Sequence, residues 1–290
     1  MNIIRVGTTT VGNIILVTTD NGATVYATNG SKTISGIAVD GVAKLKAKAG
    51  TWRVWAELNG DTTSEVEVVV TDSYNMEMSF GLPLSSLAEG ALVRLNESGS
   101  GVNFYLAKHN YESGLNGSGR SLLVRKDIHS TGKWVQSQNT YESSVIDTWF
   151  NGTYKALLDS SVQGMLGSTA FYYTKSGNPK KVTTLSRSIF TLSVAETGQT
   201  DKYANVEGSA LPIASTLRIA YLNGVATQWW TRSIDKTAGD YEYVERIGAD
   251  GVPGSMSKSH TLGYRPCFTL PATAMVSAKP NADGSYTLIV

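Results

Sequence analysis

At 290 residues, with 41% apolar and 17% charged residues and a formal net charge of +1, the chain has room for two hydrophobic cores. Charge falls below the usual quarter, and Gly, Ser, Thr and Asn fill the gap, which is a β-rich, turn-rich composition. The balance of charge implies neither a nucleic-acid footprint nor a membrane-attracting patch, and the single cysteine, Cys267, excludes an intrachain disulfide and a multi-cysteine zinc site.

The opening Met1-Asn2-Ile3-Ile4-Arg5 shows no basic-then-apolar signal pattern. No apolar run approaches the ~20 residues of a membrane span. Synthesis in the cytosol without ordinary secretion is expected. Strands are predicted at Asn13–Thr19, Thr24–Ala27, Lys32–Ala38, Val42–Lys48, Thr51–Leu58 and Ser64–Val70. Asn21-Gly22, Asn29-Gly30, Asp40-Gly41 and Asn59-Gly60 punctuate them and favour positive φ. Trp52, Val54, Ala56 and Leu58 alternate with Arg53, Trp55 and Glu57, as a half-buried strand requires. Val66, Val68 and Val70 alternate with Glu65 and Glu67 in the same way. The run from Val42 to Val54, with Ala49-Gly50 and Trp52 at its centre, resembles the middle of small immunoglobulin-like or carboxypeptidase-regulatory-like sandwiches over roughly residues 8–72. That resemblance implies an attachment or spacer module.

Asp72-Ser73-Tyr74-Asn75-Met76 is polar and breaks the alternation. It places a boundary between 72 and 82, and domains at 1–75 and 76–290. Beyond it, Ala91–Leu95 and Val102–Lys108 read as a hairpin and Leu122–Lys126 as a strand. Ser143–Phe150 has helical spacing, with Val145, Ile146, Trp149 and Phe150 on one face, Ser143 or Ser144 as cap and Asp147 in the first turn. Asn151-Gly152 is expected to end it, before a second helix at Thr153–Gln163. Phe190–Ser193 reads as a strand entering a helical turn. Asp283-Gly284 reads as a turn before a terminal strand, Tyr286–Val290.

The Ser143–Tyr154 segment, Phe190-Thr191-Leu192-Ser193, Trp229-Trp230-Thr231-Arg232-Ser233 and Gly263-Tyr264-Arg265-Pro266-Cys267-Phe268 occur in order. Together they resemble an uncharacterised domain family of gut bacteria and their phages, over about residues 82–272. The C-terminal half is also similar to the C-type-lectin-like fold of formylglycine-generating enzymes and of diversity-generating retroelement variable proteins. The resemblance implies a lectin-like α+β domain, often joined to small sandwiches in phage structural or adhesive proteins.

The resemblance makes Trp149, Trp230, Arg232, Gly263, Arg265 and Pro266 its structural signature, and residue chemistry alone supports a structural role for both arginines and at least one of Trp229 and Trp230. The arginines could satisfy buried carbonyls or a carboxylate, or stack on the tryptophans. Cys267 reads as a buried small hydrophobe. Binding is expected in the interval 235–262, where Tyr, Ser and Gly combine contact area with adaptable hydrogen bonding. The candidates are Tyr241, Tyr243, Arg246, Ser257 and His260, with Trp229 beside them. The competing reading is an ordinary hairpin at Tyr243–Ile247 with the rest solvated.

An enzyme is not expected. His109, His129 and His260 lie far apart in the sequence, without metal-ligand spacing. No nucleophile elbow, phosphate loop or dinucleotide fingerprint occurs. The formylglycine-generating relatives use paired cysteines that a lone Cys267 cannot reproduce. No Glu-Pro-Asn or Gln-Pro-Asp tripeptide of calcium-dependent lectins occurs, so neither metal nor cofactor is expected. The expected protein is a virion component of tail, fibre or head decoration. It would form homo-oligomers, contact other virion proteins and bind a host glycan or protein. The rivals are a purely structural virion subunit, a bacterial surface adhesin and a cryptic glycan hydrolase.

Overall fold

The computed structural model describes residues 13–63, 65–78, 80–134, 140–175, 181–237 and 242–289. Strand outweighs helix, at 47% against 14%. The chain divides into two units. The first ends at Leu82 and takes back Met275–Pro280 and Ile289; the second holds Pro83–Ala274 and Asn281–Leu288.

In the first unit, the strand Ile14–Thr18 lies between Val42–Lys46 and Ser73–Glu77. A second sheet orders Thr33–Ile37, Thr24–Thr28 and Gly50–Leu58, and Gly50–Leu58 also pairs with Asp61–Thr62 and Val66–Val70. Ile15 and Val17 from one sheet and Val25, Ala27, Trp52, Val54, Ala56, Val68 and Val70 from the other form a single buried cluster. The period-2 alternation therefore does what it implies: every second side chain enters one core. At Asn59-Gly60 both residues take positive φ, 52° and 90°. Two successive left-handed residues match the twist of the flanking strands.

Three expectations change. The polar Ser73–Glu77 segment is a strand, paired parallel with Ile14–Thr18. Its polarity reflects half-burial, with only Met76 buried. Asn151-Gly152 does not end a helix: the α-helix Val145–Trp149 runs directly into a π turn, Phe150–Tyr154, and then a 3-10 turn, Lys155–Leu157. The break falls instead at Leu158-Asp159, before the helix Ser160–Met165. Ser144 is the cap, accepting from the Asp147 N–H. Lastly, the expected second domain at 76–290 includes residues 76–82 and 275–280, whereas both fall in the first unit, where the Val276 carbonyl approaches Gly81.

The second unit has two main sheets. One orders Ile189–Phe190, Cys267–Pro271, Arg120–Arg125, Ser100–His109, Leu92–Glu97 and Ser285–Thr287. The other orders Ser130–Lys133, Thr261–Tyr264, Trp229–Ile234, Tyr243–Ile247 and Pro253–Ser257. A separate hairpin joins Thr169–Thr174 to Val182–Arg187. The chain crosses from one main sheet to the other at Arg265-Pro266, between Thr261–Tyr264 and Cys267–Pro271. Cys267 is fully buried, and its thiol donates to the Phe190 carbonyl at 3.2 Å.

Gly263 faces Trp229 across parallel strands. A Cβ there would stand 2.7 Å from Ile128 Cδ1 and 3.0 Å from the Gln228 carbonyl oxygen. The backbone oxygen cannot rotate away, so only glycine fits without a shift. Gly263→Ala should therefore destabilise the second unit by about 1–3 kcal/mol, read from its denaturant midpoint. An unchanged midpoint would show that the close approach is not a constraint.

Candidate functional site

The strand Trp229–Ile234 is buried at every position. Such a strand must satisfy its polar side chains internally. The Trp229 indole donates to the Arg218 carbonyl at 3.1 Å, and the Trp230 indole to the Gly132 carbonyl at 2.9 Å. The Arg265 guanidinium lies 5.1 Å from the Trp229 ring centroid. It donates to the carbonyls of Arg125, Leu217 and Lys126. Burial without a paired carboxylate pulls its pKa down to about 10, so it remains a cation at neutral pH.

Arg232 is solved differently. Its Nη1 meets Glu196 Oε2 at 2.7 Å, with both side chains fully buried. Its remaining donors go to the carbonyls of Tyr172, Thr191 and Glu207. Burial is the largest influence and opposes its charge, but Glu196, Tyr111 and Glu207 together outweigh it and raise the pKa overall. Glu196 also accepts from the Tyr111 hydroxyl at 2.5 Å and the Ser193 N–H at 2.9 Å. Burial pushes the Glu207 carboxyl upward, while the Thr174 N–H and hydroxyl and the Ser233 hydroxyl donate to it.

Of the residues expected to bind, the structure brings Tyr243, Ser257 and His260 near one another, but not Trp229 or Arg246. Trp229 is fully buried. Tyr241 lies outside the described residues. Tyr243–Ile247 pairs with Pro253–Ser257 as a hairpin, with Tyr243 opposite Ser257 and Arg246 opposite Gly254. Tyr243 and Arg246 are an odd number of positions apart, so they leave opposite faces of the strand. Tyr243 is 46% exposed, whereas Arg246 turns back to the Val252 carbonyl at 3.2 Å. His260 is exposed in the turn after the hairpin, its Nδ1 3.3 Å from the Ser257 carbonyl oxygen.

What the hairpin does bring to a cavity is its tip. Asp250, Gly251, Val252 and Pro253 line an open groove of about 670 Å³ with Gly198–Asp201, Ser215, Arg218 and Ile219. Gly198–Asp201 also edge an adjoining cavity of about 410 Å³, whose far wall includes Asn205, Val206, Ser209 and Ala210. Gln199 ties the two sides by donating to the Gly251 carbonyl at 2.5 Å. Arg218 stiffens the floor through the Thr197 and Gly198 carbonyls. Val252 and Val206 stand 54% and 71% exposed at its margins, so the surface is a mixture of amides, hydroxyls, two carboxylates, a guanidinium and aliphatic groups. Sequence reasoning missed Gln199, Asp201, Asn205 and Arg218. The available signal was the long connection from Phe190 to Trp229, since long connections with little regular structure are commonly functional.

Behind the groove, Glu245 is buried with one carboxylate oxygen unpartnered. The Ser255 hydroxyl stands 2.5 Å from its other oxygen and 3.2 Å from Asp235 Oδ2. Burial raises the Glu245 pKa to about 7, and Asp201 and Asp235 push the same way.

The family described as a domain of unknown function, DUF6273, matches residues 118–272, just over half of the chain. No curated protein matches it. Among solved structures the chain is similar to a DUF4876 family protein from Bacteroides thetaiotaomicron, at 11% identity and a TM-score of 0.18. That similarity covers 44% of this chain and 37% of the other, so the chain spans well under half of that relative's length.

The Glu245 environment fixes a sign. A carboxyl whose folded pKa exceeds its unfolded value holds its proton more tightly when folded, so stability is present at low pH and lost as pH rises through the folded value. Stability should fall between about pH 5 and 8, and Glu245→Gln should flatten that slope and gain on the order of 2–3 kcal/mol at about pH 8. Denaturant unfolding across that range checks it; parallel pH profiles for the two proteins would refute the assignment.

Proposed function

As a chain that belongs to the DUF6273 family, this protein is, we propose, a non-enzymatic recognition protein in which a β-sandwich attaches or spaces and a second domain presents a binding surface. We infer an immunoglobulin-like first unit and a C-type-lectin-like second unit. Two sheets closing on one core support the first, and short helices beside two sheets joined at Arg265-Pro266 support the second. The setting that the motif resemblance implies is a phage virion, with other virion proteins and a host-surface glycan or protein as partners and several copies per assembly.

The observation that carries the recognition reading is the cavity of about 410 Å³ that adjoins the hairpin-tip groove. Its edge toward that groove is fixed by the Gln199 hydrogen bond, and its far wall offers Asn205, Ser209 and exposed Val206. A concave wall with a few placed polar groups on a rigid base is what a binding site requires. Exposed Ile37, Val39 and Val69 on the first unit, at 64%, 67% and 59%, favour an attachment role for that unit, because exposed aliphatic groups gain by docking.

Ala210 is exposed on the cavity wall, so Ala210→Trp should fill the cavity without disturbing the core. Binding of the full chain to intact gut-bacterial cells should fall at least tenfold in this variant, about 1.4 kcal/mol or more, while Tyr243→Ala should stay within about twofold. Equal binding by both variants would remove the cavity from the mechanism. Binding only to virion proteins would support the structural-subunit rival, and products released from cell-wall glycans would support the hydrolase.

A further inference from the structure

Trp149 differs from the other tryptophans. The indole N–H of Trp52 donates to the Lys48 carbonyl, that of Trp55 to Glu57, that of Trp134 to the Thr231 carbonyl, and those of Trp229 and Trp230 to carbonyls already described. The Trp149 N–H has no hydrogen-bond partner among the described residues, and the residue is only partly buried. An indole N–H is a donor that usually finds a partner or faces water.

The ring is nevertheless held in one pose. Its centroid lies 5.2 Å from His129, 5.6 Å from Tyr154, 5.1 Å from Tyr264 and 5.7 Å from Phe150. Tyr154 is itself buried and donates its hydroxyl to Glu97, which Arg125 pairs at 3.0 Å. A ligand meeting Trp149 would therefore find it already ordered, with little rotamer entropy left to lose. The π turn Phe150–Tyr154 begins at the next residue. π turns are rare and recur at functional sites. Here the turn also sends Asn151 to the Ile189 carbonyl at 2.9 Å, away from the surface that Trp149 reaches.

That surface is a cavity of about 390 Å³, lined by Ser143, Ser144, Val145, Thr148, Trp149, Gly152 and Thr153. Among the described residues, none of its lining side chains is charged. The Thr148 hydroxyl donates to the Ser144 carbonyl at 3.0 Å and keeps its lone pairs as acceptors, and Thr153 is exposed. The wall thus combines one aromatic ring, a valine, the exposed Thr148 and Thr153 hydroxyls and an indole N–H without a partner among the described residues. A carboxylate or phosphate ligand would find no cation among the described lining residues, and a purely aliphatic ligand would strand the indole N–H. A pyranose carries both a C–H face suited to an aromatic ring and hydroxyls that donate and accept. The volume, near the lower end for small-molecule sites, suits one or two sugar rings.

We propose that this cavity binds a neutral pyranose, a hexose or N-acetylhexosamine unit, against Trp149. The proposal deepens the recognition reading by giving a ligand class, but its residues are separate from the hairpin-tip cavity. The test is a tryptophan-fluorescence titration of the full chain with neutral hexoses and N-acetylhexosamines, alongside a uronic acid as charged control. At least one neutral sugar should give a saturable change with a millimolar dissociation constant, and the uronic acid should not compete. Trp149→Phe, which keeps an aromatic ring but removes the N–H, should weaken binding at least tenfold. Thr153→Val, at an exposed position, should weaken it three- to tenfold with an unchanged thermal midpoint, and Ala210→Trp should leave it intact. No saturable change across the neutral panel, or wild-type affinity in both Trp149→Phe and Thr153→Val, overturns the site. If sugar binding is absent while Ala210→Trp still abolishes cell binding, the recognition reading stands without this site. Sugar binding with cell binding unaffected by Ala210→Trp keeps this site and removes the other cavity.

Discussion

The Arg232–Glu196 pair is buried on both sides, and much of the second unit is arranged to make that tolerable. Removing two charges from water costs several kcal/mol per ion even after relaxation, and attraction offsets this only when every remaining donor and acceptor is met. Arg232 meets that condition through the carbonyls of Tyr172, Thr191 and Glu207. Glu196 meets it through Tyr111 and Ser193. Those partners belong to a hairpin, a strand end, a tight turn and a long connection, so one guanidinium fixes segments that share no regular pairing. A lysine could not replace it, because a point ammonium lacks the planar fork that reaches four acceptors at once. Phe171, 4.8 Å from the guanidinium carbon, covers the face of that fork.

The pair also explains why a long irregular connection can form a cavity wall. Residues 194–210 contribute few strand hydrogen bonds, and such a segment would otherwise open readily. Glu196 and Glu207 anchor it from below, through Arg232, Thr174 and Ser233. Asp201 caps its own turn at the Tyr203 N–H, and Gln199 reaches the hairpin tip. The outer atoms of the connection are then free to carry polar groups whose geometry is set by buried ones. In general, a rigid base that carries a polar rim lets a surface differ in what it presents without a change of fold.

How far this was legible in the sequence depends on where each residue's partner lies. Alternation in the first unit was readable because Trp52, Val54 and Ala56 all enter one core, and a local pattern encodes it. Ser73–Glu77 was not, because a half-buried strand held by pairing to Ile14–Thr18 needs no apolar alternation. Asn151-Gly152 looked like a helix stop because both residue types favour C-caps; the π turn keeps the chain helical and uses the Asn151 side chain to bridge to Ile189. The arginines were readable as frame residues. Their partners were not, since Glu196 lies 36 residues from Arg232 and Leu217 48 from Arg265. Tyr243 and Arg246 looked like neighbours on one loop, yet strand geometry sends them to opposite faces.

The two buried arginines show where the strongest polar interactions of the domain have gone. Arg232 is neutralised by a carboxylate, and Arg265 is held by three carbonyls and the Trp229 ring. Arg125 and Arg187 are committed in the same way, to Glu97 and Asp147. Around Trp149 this leaves the Thr148 and Thr153 hydroxyls and an indole N–H to meet a ligand, and at the hairpin tip amides, hydroxyls and a few charged groups partly engaged in local bonds. Each neutral hydrogen bond contributes only about 0.5–1.5 kcal/mol net, so a surface built mainly from them binds weakly per copy. Linking copies converts later contacts into intramolecular ones and can raise avidity by about 10²–10⁴ without a new contact. The proposed function therefore favours an assembly of several copies: a frame that keeps its strongest charges inside gains strength outside chiefly by repetition.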